Sequence, residues 1–556
     1  MPPSTHAAEQ RARRGPSQAV FLALLALLLL LLFVPTTGGE AVALRGDVRN
    51  GAKGAGGLAF EFPSRYGGIE GVHDRLAGVR LGDVRRLGHA IAKARRKRPL
   101  HVVAYGTSIT GRGGCLHRDT PCRRADVLDA GDAGEGQFER NGWFALLARY
   151  LAETYPDADH TFENVGKHAG GPGTSVMCSR NHFFRKPIDI LIVEYACMQN
   201  VNEQLRSLGG RPDVLTEYQQ GMERVLRKFL HRSSARHPCA IIMLHTFHWC
   251  RNRENCRDPL TGETFQLGYE NLNGTFVQGG DDGFDTLARY YGQSSVSTRD
   301  AIYHLAASGA SGFRLADFIN EGDMGVHHND RGHRIIADLL VTLLQLVDNL
   351  VAAAPHSDLG KASFGQLPPP LEPGNFAGRI MSCAEFEAED TAKTSLQAGD
   401  GWAWSGSEPG AAGSEKAGLA TTSPGAWFEV LLDTVPMDGV HGLRDAASES
   451  QSKRETMQRV TVLYISSYET FGIADVECVA GCTCDAQRLN AHVARRTDGS
   501  PIQEASFEVS AARECRLRTT LSNDTDSGGH RFKVLEVRAE WSPKEGWAAH
   551  GGMPRW

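Results

Sequence analysis

From residue 84 to residue 350, short apolar runs alternate with stretches of helical periodicity. Residues 101–105, 161–165, 188–196 and 240–245 read as strands. Residues 142–155, 215–230 and 332–350 carry apolar side chains at helical spacing. The run 188–196 is nearly continuous in apolar character, as in a strand covered on both faces. Regular strand–helix alternation admits a parallel sheet between two layers of helices, so this region is expected to be an α/β domain of three layers.

The texture then changes. Residues 352–375 contain Pro355, Pro368, Pro369, Pro370 and Pro373 and read as an extended linker. Beyond them, runs such as 427–432, 460–466, 506–509 and 532–537 are short, β-rich and separated by Gly, Ser and Asp. This pattern fits an all-β sandwich. Its tryptophans, Trp402, Trp404, Trp427 and Trp541, suit either a carbohydrate-binding surface or an ordinary sandwich core.

The N-terminal region holds an unbroken apolar run, residues 19–34, preceded by Arg11, Arg13 and Arg14. Sixteen residues of helix would span about 24 Å, against a hydrocarbon core of about 30 Å. The run is read as an uncleaved type II signal anchor in preference to a cleaved signal peptide. Either choice places the rest of the chain in the secretory lumen, membrane-bound in the first case and secreted in the second. The expected organisation is a cytosolic segment (1–18), anchor (19–36), Gly-rich stem (37–83), α/β domain (84–350), linker (351–378) and sandwich (379–545).

Cysteine usage agrees with an oxidising compartment. Cys115 and Cys122, Cys250 and Cys256, and the group Cys478, Cys482, Cys484 and Cys515 read as disulfide partners. A zinc site at Cys478, Cys482 and Cys484 has irregular spacing and no paired histidine, so no metal is expected there. Asn273 and Asn523 head glycosylation sequons. The net charge of −5 is small for 556 residues. The basic cluster at 93–98 has no interleaved aromatics, which argues against a nucleic-acid partner.

Two segments carry chemistry. Gly106-Thr107-Ser108-Ile109-Thr110 follows the first apolar strand. Ligands of open α/β sheets bind beyond such carboxyl ends, and a serine there becomes a nucleophile if a base reaches it. Met324-Gly-Val-His327-His328-Asn-Asp-Arg-Gly332-His333 lies just before the last helix and offers a histidine base.

Together these segments resemble the SGNH (GDSL-type) hydrolases. The family has a Gly-Asp-Ser turn after its first strand, a Gly and an Asn from two later loops, and Asp-x-x-His before its final helix. Gly106-Thr107-Ser108 is similar to the first block, with Thr in place of Asp. Asn164 to Gly173 is similar to the second, 189–200 to the third and 326–333 to the fourth. The resemblance implies a three-layer, flavodoxin-like SGNH hydrolase fold with a parallel sheet, followed by the β-sandwich. It implies Ser108 as nucleophile and His327 as base. Met324 stands where the family's Asp would be, so Asp323 or a main-chain group takes the orienting role. Oxyanion donors would be the Ser108 N–H, Gly170 or Gly171, and Asn200, since the family's Asn falls on Met198.

The expected function is a serine esterase acting on O-acyl, chiefly acetyl, esters of carbohydrates, without cofactor. The alternatives are a catalytically weak glycan-binding protein and a polysaccharide O-acetyltransferase. The insert 111–140 is expected to shape the rim of the site. Phe247 and Trp249 are candidates for lining a sugar cleft, or for the core.

Overall fold

The computed structural model describes residues 64–114, 122–123, 141–168, 170–173, 178, 187–198, 215–232, 237–249, 276, 281–320, 325–353, 367–372, 375, 379–406, 416–435, 457–493 and 502–541. The expected cytosolic segment, the anchor and residues 37–63 of the stem lie outside these.

The α/β domain opens with α1 (Val72–Ala77), β1 (Val79–Arg80), α2 (Arg85–Arg95), β2 (His101–Gly106) and α3 (Ser108–Gly111). Next come β3 (Cys122–Arg123), α4 (Trp143–Thr154), β4 (Thr161–Asn164), β5 (Ile190–Glu194) and α5 (Glu217–Arg232). It closes with β6 (Ala240–His245), α6 (Asp281–Tyr290), β7 (Ser294–Ser297), α7 (Thr298–Ala307), α8 (Leu315–Phe318) and α9 (Asp330–Ala353).

The sheet order is β1-β7-β6-β5-β2-β4-β3. Its five inner strands are parallel, and β1 and β3 pair antiparallel at the edges. The chain reverses its direction of winding at β2, the flavodoxin-like order, so the crevice beside β2 and β5 is the natural ligand site. Alternate residues explain the three layers. Val103, Tyr105, Leu191, Val193, Ile241 and Met243 face α5 and α6. Val102, Ala104, Ile190, Ile192, Ile242 and Leu244 face the layer of α2, α4 and α9. Both faces are dry, hence the unbroken apolar runs. Helix α9 is long and apolar enough to cross a membrane, but most of its apolar stretch is buried inside the domain.

Two boundaries differ from expectation. The α/β domain begins before residue 84. Asp338 of α9, almost fully buried, accepts the N–H groups of Arg65 (2.9 Å), Tyr66 (2.8 Å) and Gly68 (2.7 Å), so this part of the expected stem is docked. Helix α9 also runs into the expected linker. Farther along, residues 367–372 and 375 are pinned to α5: Asn375 Nδ2 donates to Glu223 (2.7 Å), and Arg227 donates to the Pro368 carbonyl (2.7 Å).

The sandwich comprises β8 (Arg379–Glu385), α10 (Glu389–Ser395), β9 (Leu396–Asp400), β10 (Ala403–Ser405), β11 (Gly418–Thr421) and β12 (Trp427–Leu432). It continues with β13 (Met457–Ile465), β14 (Ile473–Ala480), β15 (Gln487–Asn490), β16 (Ile502–Ser510), β17 (Cys515–Leu521) and β18 (Phe532–Trp541). One sheet is built around β18, which pairs with β11, β13 and β8. The other runs β15-β14-β17-β12-β9. The two close over Phe386, Phe428, Val462, Leu517 and Phe532. Trp402 packs on Phe428 with ring centroids 4.8 Å apart, and Trp404 Nε1 donates to the Phe386 carbonyl (3.1 Å). Trp427 lies under the Arg518 guanidinium at 4.5 Å. The side chain of Trp541 is outside the described residues.

The cysteine group resolves into Cys478–Cys484 and Cys482–Cys515. A further disulfide, Cys178–Cys383, joins the two domains. Cys115, Cys250, Cys256 and the side chain of Cys122 lie outside the described residues, as does Asn273. Asn523 is exposed after β17. The domains also meet across a charged seam. Glu536, Arg538 and Glu540 alternate on one face of β18. Arg538 is fully buried and reaches Glu540 (2.7 Å), Glu536 (3.0 Å) and Glu504 (3.4 Å). Arg224 of α5 takes the same Glu504 at 2.8 Å.

Candidate active site

Strand β2 ends at Gly106, opposite Glu194 of β5. A Cβ on Gly106 would lie 2.1 Å from Thr110 Oγ1 and 2.7 Å from the Glu194 carbonyl, so only glycine fits there. Thr107 then leaves the helical region (φ −82°, ψ −158°), and its hydroxyl accepts the Ile109 N–H, capping α3. This places Ser108 at the first residue of a short helix beyond the carboxyl end of a central strand. Ser108 is buried, with 8% of its surface exposed.

The histidine arrives from the far end of the chain segment. The Gly325 carbonyl accepts the Trp249 N–H (2.9 Å), and the His327 carbonyl accepts the Asn320 N–H (2.9 Å). His328 forms a β-bridge with Ile319. Asn329 Oδ1 accepts the N–H groups of Arg331 (3.0 Å) and Gly332 (3.1 Å) at the start of α9. A loop held on both sides in this way delivers His327 Nε2 to 2.7 Å from Ser108 Oγ. A hydroxyl at that distance from an unprotonated imidazole nitrogen can pass its proton as it attacks a carbonyl.

Asp323 and Asn200 lie outside the described residues. Gly170 and Gly171 are in the loop after β4. The Gly170 N–H already donates to the Lys167 carbonyl (3.0 Å), closing a turn. Gly171 sits beside the Tyr218 ring and lines a cavity of about 40 Å³, with Pro172 and Gly173 on its own side and Leu463 and Glu504 of the sandwich opposite. The sandwich also grips this loop through a Lys167–Glu387 ion pair, the Cys178–Cys383 disulfide and the Cys178 N–H, which donates to Glu536 (2.8 Å). Asn164 ties the loop to the segment after Ser108, donating to the carbonyls of Thr110 (2.6 Å) and Gly114 (2.7 Å).

Phe247 and Trp249 line no cleft. Both are fully buried, and the Trp249 ring packs 4.8 Å from Phe318 under the histidine loop. Their place is the core, against Tyr303 of α7 and Phe318 of α8.

Glu194 was not singled out by the sequence reading. It is fully buried at the end of β5, where Thr107, Thr110 and Thr246 donate to it. Burial pushes its carboxyl above the usual range, against the pull of these donors. A charged residue closing the run Ile190–Glu194 was the available signal. His333, also buried, accepts the Trp143 N–H on Nδ1 (3.3 Å). Burial, with the nearby His328 adding to it, pushes its imidazole down to about 3.

No protein-family model and no curated protein matches the chain. Solved structures do. A two-domain esterase (CEX) active on acetylated mannans matches at 15% identity with a TM-score of 0.51, over 84% of this chain and 99% of the other. The same esterase co-crystallised with mannopentaose matches at 14% identity with a TM-score of 0.50, over 85% and 99%. The likeness covers most of both chains. This chain shares the fold of that two-domain esterase: a three-layer, flavodoxin-like α/β domain with a parallel sheet, and a β-sandwich domain.

Proposed function

We propose that this chain is a serine esterase that removes acetyl groups from carbohydrate esters in the secretory pathway. The observation that carries the reading is the 2.7 Å contact between Ser108 Oγ and His327 Nε2 at the carboxyl end of the switch-point strand. The full-length likeness to an esterase active on acetylated mannans supports the substrate class.

In the proposed reaction Ser108 Oγ attacks the acetyl carbonyl while His327 Nε2 takes the hydroxyl proton. The tetrahedral intermediate collapses, the sugar oxygen leaves, and His327 returns the proton to it. Water then attacks the acetyl-serine ester, giving its proton to His327; the second tetrahedral intermediate collapses with cleavage of the bond to Ser108 Oγ, which takes that proton back from His327, and acetic acid is released. Asp323, or a main-chain carbonyl, orients the imidazole. The Ser108 N–H, the Gly171 N–H and the Asn200 amide stabilise the oxyanion; one such donor is worth about 10² to 10³ in rate. The Gly170 N–H joins them only if its turn opens.

The apolar run at 19–34 serves as the membrane anchor and leaves the enzyme facing the lumen. The disulfides Cys178–Cys383, Cys478–Cys484 and Cys482–Cys515 support an oxidising location.

The test uses residues 40–556 purified from a secretory host, with acetylated mannan and p-nitrophenyl acetate as substrates. Acetate release should be lost in Ser108→Ala, falling by about 10⁴-fold or more. Release unaffected by Ser108→Ala would overturn the reading. Absence of release with retained oligosaccharide binding would favour the glycan-binding alternative. Acetyl transfer to an added oligosaccharide in excess of hydrolysis would make it a transferase.

A further inference from the structure

Ser108 needs more than a base; its turn must hold the hydroxyl in one direction. The residue before it and the second residue after it are tied to a single group. Glu194 Oε2 accepts the Thr107 N–H (3.1 Å), the Thr107 hydroxyl (2.7 Å) and the Thr110 hydroxyl (3.0 Å). Glu194 Oε1 accepts the Thr246 hydroxyl (2.6 Å) and the Cys197 thiol (3.4 Å). The Thr107 N–H is shared with the Glu194 carbonyl at 3.2 Å. One side chain thus gathers the ends of β2, β5 and β6.

Thr107 acts as the relay. Its hydroxyl spends its one proton on Glu194, which turns its lone pairs toward the Ile109 N–H at 3.2 Å. The cap of α3, and with it the start of the helix at Ser108, therefore depends on the Glu194 carboxyl. The arrangement is costly. Glu194 is 0% exposed, its described partners are neutral donors, and burying a carboxyl is unfavourable even when it is hydrogen-bonded. An apolar residue would fill the space at less cost, so packing alone does not account for a carboxyl here.

We propose that Glu194 is a positioning residue for the nucleophile, setting the Thr107–Ser108 turn so that Ser108 Oγ meets His327. The proposal rests on the esterase reading, in which Ser108 attacks the substrate. A misplacement of about 1 Å at the reacting atom costs about 10²-fold in rate.

The experiment measures fluorophosphonate labelling of Ser108, with kcat and KM for p-nitrophenyl acetate, in the unaltered chain and four variants. Thermal melts report folding. Glu194→Ala should lower kcat and the labelling rate about 100-fold with KM within about threefold, since the turn is misaimed but the binding cleft is not. Glu194→Gln keeps an acceptor oxygen and should recover activity to within about tenfold. Thr107→Val removes the relay and should lose about tenfold or more, and Thr107→Ser, which restores the hydroxyl, should recover most of that loss. If Glu194→Ala fails to fold, the Gln variant and the Thr107 pair decide the matter. Labelling of Thr107→Val, and of Glu194→Ala where it folds, within about twofold of the unaltered chain, with no gain on going from Val to Ser, would overturn the proposal while leaving the esterase intact. No labelling of the folded, unaltered chain would instead overturn the esterase reading, and this proposal with it.

Discussion

Glu194 and Glu536 are both buried carboxyls at strand positions, and the chain keeps them in opposite ways. Glu194 is held by hydroxyl, amide and thiol donors. Glu536 and its neighbour Glu540 share the guanidinium of Arg538. Burial works against the Glu540 charge, but Arg538, Lys228 and Arg224 outweigh it and hold the carboxyl down at about 2. At Glu536 burial prevails over Arg538, and the carboxyl is pushed up, as at Glu194. The difference teaches where each kind of contact is useful. Neutral donors fix a backbone turn by direction, residue by residue. A shared cation gathers Glu536 and Glu540 of β18 with Glu504 of β16, and Arg224 of α5 extends that cluster across the seam. The Ser108 turn has the first arrangement and the domain seam the second.

The comparison can be broken most sharply at Arg538. Arg538→Met leaves Glu504, Glu536 and Glu540 without their common partner and should cost about 3–5 kcal/mol in unfolding free energy, read by chemical denaturation. Replacing Arg538, Glu536 and Glu540 together by apolar residues of similar volume should cost much less, because no charge is then stranded. Equal losses would mean that the seam is held by shape and not by charge pairing. Next in size is the covalent tie. Cys383→Ser should cost about 2–4 kcal/mol against the oxidised parent chain, and the difference should shrink when both are reduced. A loss confined to stability, with activity intact, would show that the grip on the 167–178 loop is redundant.

The smallest effect concerns pH. His333 accepts a proton near 6.5 when unfolded but only near about 3 when folded. Between these values the unfolded chain binds more protons, so stability should fall as pH drops from about 6.5 toward about 3. Glu540 contributes its own loss lower down, as pH falls from about 4.5 toward about 2. Denaturation at about pH 7 and about pH 5 therefore reads the histidine before Glu540 titrates. His333→Asn should flatten that slope. An unchanged slope would place the titrating group elsewhere.

Much of this was legible in the sequence. The inner strands β2, β5 and β6 declare themselves because both faces are dry and their runs are apolar. Strand β7 does not. Its sequence, Ser294–Ser297, is mostly serine, yet every residue is buried. The serines are satisfied by Asp285 (3.1 Å), Asp281 (2.7 Å) and the Leu81 carbonyl. No hydrophobic pattern can signal a strand whose side chains are paid off by hydrogen bonds.

The domain start was hidden for a related reason. Residues 64–69 are anchored by main-chain N–H groups on Asp338, and any sequence can supply those. At the candidate site, turn and loop chemistry pointed to Ser108 and His327, and the structure places these two side chains 2.7 Å apart. Glu194 looked like the polar end of a strand, and only tertiary contact shows what it holds. Phe247 and Trp249 were ambiguous because an aromatic after a strand looks the same whether it faces a cleft or the core.

The most direct test of the account is labelling of the folded protein by a fluorophosphonate. The account predicts one covalent adduct, on Ser108, formed in the unaltered chain, lost in Ser108→Ala and slowed about 10⁴-fold or more in His327→Ala. A folded protein that takes up no label, or takes it up equally without Ser108, would contradict it.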